Sequence, residues 1–205
     1  MKILEKTGED KRGFTRRAFF SLDMVYRYRL IIDFRGSMFQ KNQCRRMLII
    51  MLNPSTADEM KDDPTVRRVC GFAQREGFEQ VEVQNLFALR STDPKALLNH
   101  SDPVGPNWLD NLKSGLAESE FLCLGWGTHG GLNNRDKDVM ETLNFGWPSP
   151  LKIHCLGHTG GGFPKHPLYL AEETKFEVYG GRFWEAEYKS KFGDFNIHKL
   201  INPFD

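Results

Sequence analysis

Three polar side chains follow predicted strands of this chain, where a ligand could reach them. Asn53 follows the apolar run 47–52, Asn85 lies near the end of the segment 80–86, and His166 lies in a glycine-rich loop after the segment 151–156. An amide offers a donor and an acceptor to the edge of a planar ring, and an imidazole can donate to an oxygen that becomes anionic. These residue types predict a binding site for a small polar ring.

The first of these residues belongs to a strand, a loop and a helix. The run 47–52 is typical of a strand covered on both faces. Pro54 cannot donate to a strand ladder, so pairing is expected to stop at Asn53. Asp63 is predicted as the N-cap of a helix that begins at Pro64. The loop between them would then lie at the carboxyl end of a strand, where open α/β sheets bind ligands, although ordinary turn and cap roles explain the same spacing equally well.

Strands and helices alternate along most of the chain. Strands are predicted over residues 24–34, 46–52, 80–86, 121–126 and 151–156, the first two as an antiparallel pair. Helices are predicted over residues 64–77, 94–99, 106–118 and 134–144. This alternation predicts an α/β fold with three layers, α/β/α, around a central, largely parallel sheet of about four to five strands.

The strand ends and the domain limits follow from that fold. Asn53, Asn85, the turn 126–129 and His166 would converge on one edge of the sheet. The chain is divided into an N-terminal extension (1–23), an α/β domain (24–170) and a C-terminal extension (171–205) packed on the domain.

Composition limits the classes of protein to consider. The 205 residues are 40% apolar and 27% charged, which is typical of a soluble globular protein, and no apolar stretch reaches membrane-spanning length. The N-terminus lacks the apolar core of a secretory signal, so a cytoplasmic location is expected. The protein is also expected to be a monomer. The net charge of +1 carries no global signal for nucleic acid, and the local pair Arg67-Arg68 is more often only a solvated face.

Metal and disulfide chemistry find little support in the spacing of the cysteines and histidines. Four cysteines (Cys44, Cys70, Cys123 and Cys155) form no C-x-x-C pair, and three of them are predicted as buried thiols. His154 and His158 lie near His166, but no Cys or carboxylate completes a tetrahedral set at a familiar spacing. We therefore predict no metal and no cofactor.

Five strings of the sequence resemble a known family. They are MLNPSTADEMKDDPTVRR, VQNLFALRSTDPKAL, DPVGPNW, LGWGTHGG and HCLGHTGGGFPKHPLYL. Over roughly residues 25–170 they resemble the bacterial and phage family known as domain of unknown function 1643 (DUF1643). More distantly, the ordered set resembles the motifs of the uracil-DNA glycosylase superfamily, whose fold is the three-layer fold predicted above.

The distant resemblance implies a role for each strand-end residue. The enzyme would flip a nucleotide out of the DNA stack and break its N-glycosidic bond. His166 would donate to the base as it becomes anionic, and Asn85 would hold the flipped base. Asn53 would position the attacking water, but an amide cannot accept its proton. Asp63 and the nearby carboxylates of residues 58–62 are therefore candidates for the general base, which stays unassigned.

Further contacts complete the interpretation. Pro54, Ser55, Trp126 and Gly127 would line the base pocket, and Phe72 or Phe87 could stack on the base. The expected DNA contacts are Arg67, Arg68, Lys165 and Tyr169. Tyr169 could stack into the gap that the flipped base leaves, and packing under its own loop is an equal alternative.

The pocket departs from the uracil enzymes in one respect. Those enzymes have a bulky tyrosine beside their water-positioning motif, whereas this chain has Ser55, Thr56 and Ala57. Small side chains imply a roomier pocket and a 5-substituted pyrimidine of DNA, such as a hypermodified base of phage DNA. The alternatives are a non-catalytic module of the same fold that binds DNA or nucleotides, and an enzyme that acts on free nucleosides or nucleotides.

Overall fold

The computed structural model describes residues 2–36, 44–55, 63–93, 95–146 and 153–180. The strands of this part of the chain are β1 Ile3–Glu9, β2 Thr15–Ser21, β3 Arg27–Asp33, β4 Arg46–Met51, β5 Gln80–Asn85, β6 Phe121–Leu124, β7 Ile153–Cys155 and β8 Glu177–Val178. The helices are α1 Pro64–Arg75, α2 Ala96–Asn99, α3 Trp108–Ala117 and α4 Arg135–Gly146, with 3-10 helices at Thr128–Asn134 and Pro167–Tyr169. None of the described helices combines the length and apolar character needed to cross a membrane.

All the described strands form one mixed sheet in the order β1-β2-β3-β5-β4-β6-β7-β8. The pairs β1–β2, β2–β3, β3–β5 and β7–β8 are antiparallel, whereas β5–β4, β4–β6 and β6–β7 are parallel. The prediction of a three-layer fold around a central, largely parallel sheet of four to five strands is therefore wrong. The sheet has eight strands in the described residues, and most of its pairings are antiparallel.

Residues near the N-terminus add two strands to the sheet that were not among the predicted strands. Residues 1–23 were expected to be an extension, but β1 and β2 form a hairpin that joins the sheet through β3. The side chains of β1 alternate between exposed and half-buried, so its charged residues lie on a solvated strand. The expected pair of 24–34 with 46–52 is also wrong, because β3 pairs with β2 and β5 instead of β4. β8 adds residues of the predicted C-terminal extension to the same sheet, and the domain limits themselves stay a prediction.

The apolar run that was predicted as a doubly covered strand is β4, and all its residues are buried. Leu48 and Ile50 belong to one core cluster, which includes residues of α3 and α4. Met47 and Ile49 belong to a second cluster, which includes residues of α1. Because neighbouring side chains of a strand point to opposite faces, the two clusters cover opposite faces of the sheet.

The thiol prediction is confirmed for three of the cysteines. Cys70, Cys123 and Cys155 are buried, Cys44 is half-buried, and all four are free. Complete burial raises the pKa of the Cys123 thiol well above its ordinary value, so this side chain packs as a small neutral apolar group.

Helix α1 begins as its local sequence predicts. Asp63 is the N-cap, its Oδ1 accepts a hydrogen bond from the Val66 backbone N–H at 2.7 Å, and Pro64 follows at the first helical position. The predicted helix 64–77 ends at Arg75, two residues early. The apolar face is buried against the second core cluster through Val66, Val69, Cys70, Phe72 and Ala73.

Asp63→Ala is expected to lower the free energy of unfolding by about 1 kcal/mol, because the Val66 N–H loses its acceptor. Asp63→Asn is the matched control, since an Asn side chain caps a helix as well as an Asp does. Urea denaturation of the two variants and the parent protein measures the difference. Equal losses in both variants would contradict the capping role and indicate that the charge of Asp63 matters instead.

Candidate functional site

The candidate site lies at the edge of the sheet where β5, β4 and β6 end. The three strands are neighbours and run parallel, with Met51 opposite Asn85 in the β4–β5 pair. On the other side of β4, the Gly125 N–H donates to the Ile50 carbonyl at 2.8 Å. With neighbouring strands about 4.8 Å apart, the backbone at the end of β5 lies about 10 Å from the end of β6. The segments that carry Asn53, Asn85 and Trp126 are therefore adjacent.

Asn85 is the most unusual polar residue at this edge. Its side chain is 3% exposed, and neither Nδ2 nor Oδ1 has a hydrogen-bond partner in the described part of the protein. Its backbone carbonyl accepts from the Trp108 indole N–H at 2.7 Å, which fixes the end of β5. Leaving a buried amide unpaired costs about 1–3 kcal/mol, so this group is suited to a ligand that supplies both a donor and an acceptor.

The direction of the Asn85 side chain follows from its strand. Val81 and Val83 belong to the core cluster on the α1 face of the sheet, and Asn85 continues the same alternation. The amide therefore points to the side of the sheet on which α1 lies.

Asn53 follows β4 by two residues and is held by a loop distant in sequence. Its Nδ2 donates to the Ser91 carbonyl at 2.8 Å and to the Pro54 carbonyl at 3.2 Å. The Ser91 N–H in turn donates to the Pro54 carbonyl at 2.9 Å. With its nitrogen used in this way, the Asn53 amide presents its oxygen as an acceptor. Sequence reasoning missed Ser91, because only its backbone takes part and its residue type carries no signal.

His166 has its protonation state set by its surroundings. It precedes the 3-10 helix Pro167–Tyr169, and its Nδ1 accepts a hydrogen bond from the Leu168 N–H at 3.4 Å. In the neutral ring the proton then lies on Nε2, which becomes a donor. Burial lowers the pKa of His166 below its ordinary value of 6.5, against a smaller opposing effect of the Asp63 charge. The imidazole is therefore a neutral Nε2–H donor near pH 7.

The His166 segment packs against the end of β6. A Cβ added at Gly125 would lie 3.2 Å from Pro167 Cδ, and one added at Gly127 would lie 3.5 Å from His166 Cβ. Gly127 also has a φ of +70°, which other residues rarely adopt. Helix α1 also contacts the 3-10 helix Pro167–Tyr169, so the end of β6, α1 and the His166 segment meet at one place.

The aromatic residues predicted to stack on the base or to line its pocket lie on both faces of the sheet. Phe72 is in the third turn of α1 and is 2% exposed, with its ring centroid 6.4 Å from that of Phe176. Phe87 and Trp126 are buried in the core cluster that packs against α3 and α4, on the face opposite α1. Phe87 and Trp126 therefore lie on the side of the sheet away from the Asn85 amide, whereas Phe72 lies on the same side as that amide. Trp126 Nε1 is itself buried without a hydrogen-bond partner in the described residues.

The four residues predicted to contact DNA differ in their exposure and in their contacts within the protein. Arg68 donates to the Leu170 carbonyl and lies 3.1 Å from Glu172 Oε1, so it ties α1 to the following segment. Arg67 and Lys165 are exposed, and Tyr169 has 87% of its surface exposed. The alternative in which Tyr169 packs under its own loop is therefore excluded by its exposure.

A groove of about 540 Å³ runs along α1 beside these residues. Its lining consists of Pro64, Arg67, Arg68, Gly71, Phe72, Arg75 and Glu172. Arg75 donates to the carbonyls of Glu172 and Thr174, so its guanidinium group is already hydrogen-bonded within the protein.

The remaining predicted residues are only partly described. Pro54 is buried and Ser55 is half-buried. Thr56, Ala57 and the candidate bases in 58–62 lie outside the described residues.

Comparison with known proteins identifies the family. Residues 27–168 match the model of a family described as protein of unknown function (DUF1643). No curated protein and no solved structure matches the chain. The matched region runs from β3 to the 3-10 helix after His166 and includes Asn53 and Asn85. The chain therefore belongs to the DUF1643 family.

Proposed function

We propose that this protein is a DNA base glycosylase that flips out a 5-substituted pyrimidine nucleotide and hydrolyses its N-glycosidic bond. The observation that carries the proposal is the buried Asn85 amide, whose nitrogen and oxygen both lack a partner in the described residues. A pyrimidine edge presents neighbouring donor and acceptor groups, which an amide complements. The distant resemblance of the sequence motifs to those of the uracil-DNA glycosylase superfamily supports the choice of a base in DNA.

The state of His166 supports catalysis at the base. In the proposed reaction the bond between C1′ of the sugar and the ring nitrogen breaks, and its electron pair moves into the base. The neutral Nε2–H of His166 donates to the ring carbonyl on which this negative charge develops. Water adds to C1′ and gives up one proton, which the released base finally takes up.

The Asn53 amide supports the delivery of that water. Its nitrogen donates a hydrogen bond to the Ser91 carbonyl, so its oxygen can accept a hydrogen bond from the water and orient that water. The proton needs a basic group, and the Asp63 charge acts on His166 at the same edge. Asp63→Asn keeps the helix cap, so a loss of base release in this variant would assign the base to Asp63.

The surroundings of the edge support DNA as substrate. Tyr169 follows His166 by three residues and is 87% exposed, which suits an aromatic ring that stacks into the gap left by a flipped base. Arg67 and Lys165 are exposed cations that could contact phosphates. The small side chain of Ser55 beside Asn53 supports a pocket with room for a substituent on the pyrimidine ring.

The test is base release from a panel of DNA duplexes that contain uracil, thymine, 5-hydroxymethylpyrimidines or glycosylated pyrimidines. Release of free base with an alkali-labile abasic site is expected for 5-substituted substrates. Activity confined to uracil would contradict the proposed substrate.

A second candidate function is a non-catalytic module that binds DNA. It is favoured by the amide of Asn53, because a carboxylate at that position would be the better activator of water. Salt-sensitive binding to every duplex without base release would support that module and contradict the glycosylase.

Asn85→Leu separates ligand recognition from folding. Leu has the same number and branching of side-chain heavy atoms as Asn and removes an unpaired buried amide, so the free energy of unfolding should stay the same or rise. Base release should be lost, because the proposed donor and acceptor for the base are gone. Chemical denaturation and single-turnover kinetics measure the two effects.

The matched control is Gln84→Leu on the same strand. Gln84 Nε2 donates to Glu82 Oε1 at 2.6 Å and to the Asn111 carbonyl at 2.9 Å, so its loss should lower the free energy of unfolding by about 1–3 kcal/mol. A similar loss of stability in Asn85→Leu would mean that the Asn85 amide serves the fold rather than a ligand.

A further inference from the structure

The far edge of the sheet brings together three side chains that commonly bind metals. Strand β8 pairs antiparallel with β7, and in this register Glu177 lies opposite Cys155. After β7 the chain turns into a loop that a bridge between His158 and Pro164 holds. His158 follows Cys155 by three residues, so one strand, one loop and the neighbouring strand each contribute one donor.

The donor atoms of these residues have the separations of a coordination shell. Cys155 Sγ lies 4.0 Å from His158 Nδ1 and 3.9 Å from Glu177 Oε1, and Nδ1 lies 2.9 Å from Oε1. Around a tetrahedral zinc ion, a sulfur and a nitrogen or oxygen ligand are about 3.6 Å apart and two N/O ligands about 3.3 Å apart. The observed separations differ from these values by only a few tenths of an ångström.

We propose that Cys155, His158 and Glu177 bind a zinc-class divalent transition-metal ion. The thiolate and imidazole select this class over Mg²⁺ and Ca²⁺, which prefer oxygen ligands. The side chains of His158 and Glu177 are 29% and 54% exposed, so a solvent water can complete the shell. Binding displaces the Cys155 thiol proton, which leaves to solvent as the metal–sulfur bond forms.

The same three residues could also be considered as a nucleophile, base and orienting carboxylate, but the position and the burial of the sulfur do not suit that role. In a catalytic triad the thiol lies along the direction of one ring nitrogen. Here Cys155 Sγ is almost equally distant from His158 Nδ1 and Nε2, at 4.0 and 3.8 Å, and it also lies near Glu177. Cys155 has 0% of its surface exposed, so no substrate carbonyl can approach its sulfur.

The surroundings hold the ligands in place. The Tyr179 ring stacks on the His158 ring with centroids 5.3 Å apart and an angle of 15° between the planes. Tyr179 is anchored in turn, since its backbone N–H donates to the Ile153 carbonyl at 2.7 Å and its hydroxyl donates to the Gly162 carbonyl at 3.3 Å. A ligand ring that is oriented before metal binding loses little freedom on binding.

The proposed metal would join β7, β8 and the loop that leads to His166. The Lys165 N–H donates to the Gly157 carbonyl at 2.8 Å, so the loop closes on itself just before His166. We therefore expect bound metal to raise the Tm of the protein by several degrees, because it binds the folded chain and the unfolded chain has no assembled site.

The test is titration of the metal-free, full-length protein with Co²⁺, followed by competition with Zn²⁺. One Co²⁺ per chain, a thiolate-to-cobalt absorption band in the near ultraviolet, and displacement of that band by Zn²⁺ are expected. Cys155→Ser should abolish the band, and Glu177→Gln and His158→Asn should each weaken binding by about 100-fold or more. Cys44→Ser, which alters the one half-buried cysteine, is the control that should keep both band and affinity.

Several outcomes would overturn the proposal. They are a band that persists in Cys155→Ser, a band that Cys44→Ser removes, or the absence of stoichiometric binding. Where Cys155→Ser does not fold, the two exposed-ligand variants decide, with circular dichroism to check their folding. None of these measurements uses base release, so the site can fail or hold independently of the proposed glycosylase.

Discussion

Replacing His166 with alanine is expected to lower the rate of base release by about 10²–10³-fold, the usual cost of removing one donor to a developing oxyanion. The free energy of unfolding should change little, since the hydrogen bond that the His166 ring accepts from the Leu168 N–H is long, at 3.4 Å. Single-turnover kinetics on a 5-substituted duplex measures the rate, and urea denaturation measures the stability.

The chain offers a matched control for this variant. His100 makes the same local contact, in which its Nδ1 accepts from the N–H two residues later, of Asp102, at 3.1 Å. His100→Ala therefore removes an equivalent ring outside the candidate site and should leave base release unchanged. Equal activity of both variants would remove His166 from the proposed mechanism.

The pH dependence of stability gives the His166 prediction a second measurement. Because burial lowers the pKa of His166 in the folded protein, the unfolded chain takes up this proton first as the pH falls. The stability associated with the neutral ring is complete above the ordinary pKa of 6.5 and is lost as the pH falls through the lower folded-state value. His166→Gln should make the stability less sensitive to acid in this range, and an unchanged profile would contradict the burial argument.

Glu82→Ala is expected to lower the free energy of unfolding by about 3–5 kcal/mol, a large part of the stability of an ordinary domain. Glu82 is fully buried and binds Arg29 through two hydrogen bonds, of 2.6 Å and 2.8 Å. Arg46 also reaches its Oε2, at 3.4 Å. Removing the carboxylate leaves two nearly buried guanidinium groups without their shared buried partner. Denaturant unfolding measures the loss.

Glu118 provides the control, because it contacts the same two arginines from the surface. Its side chain is 45% exposed, and its Oε2 lies 3.2 Å from Arg29 Nη2. Water screens this contact, so Glu118→Ala should cost no more than about 1 kcal/mol. A similar cost for Glu82→Ala and Glu118→Ala would mean that burial adds nothing to the importance of Glu82.

Features that depend on neighbouring residues were predictable. Asp63 and Pro64 predicted where α1 begins, because an N-cap and a proline at the first helical position act within one turn. The run 47–52 predicted a strand buried on both faces, because it lacks polar side chains throughout. Strands β1 and β2 were missed, since a strand with one solvated face has few apolar residues and resembles a charged extension.

The sequence by itself therefore determined the residue types of the candidate site and the local starts and ends of the elements that carry them. Only the tertiary structure decided which partners those residues have. Asn53 meets Ser91, the Asn85 amide is buried with no partner in the described residues, and Glu177 lies opposite Cys155. The physical reason is that these contacts depend on strand order and register, which long-range pairing sets and no local pattern encodes.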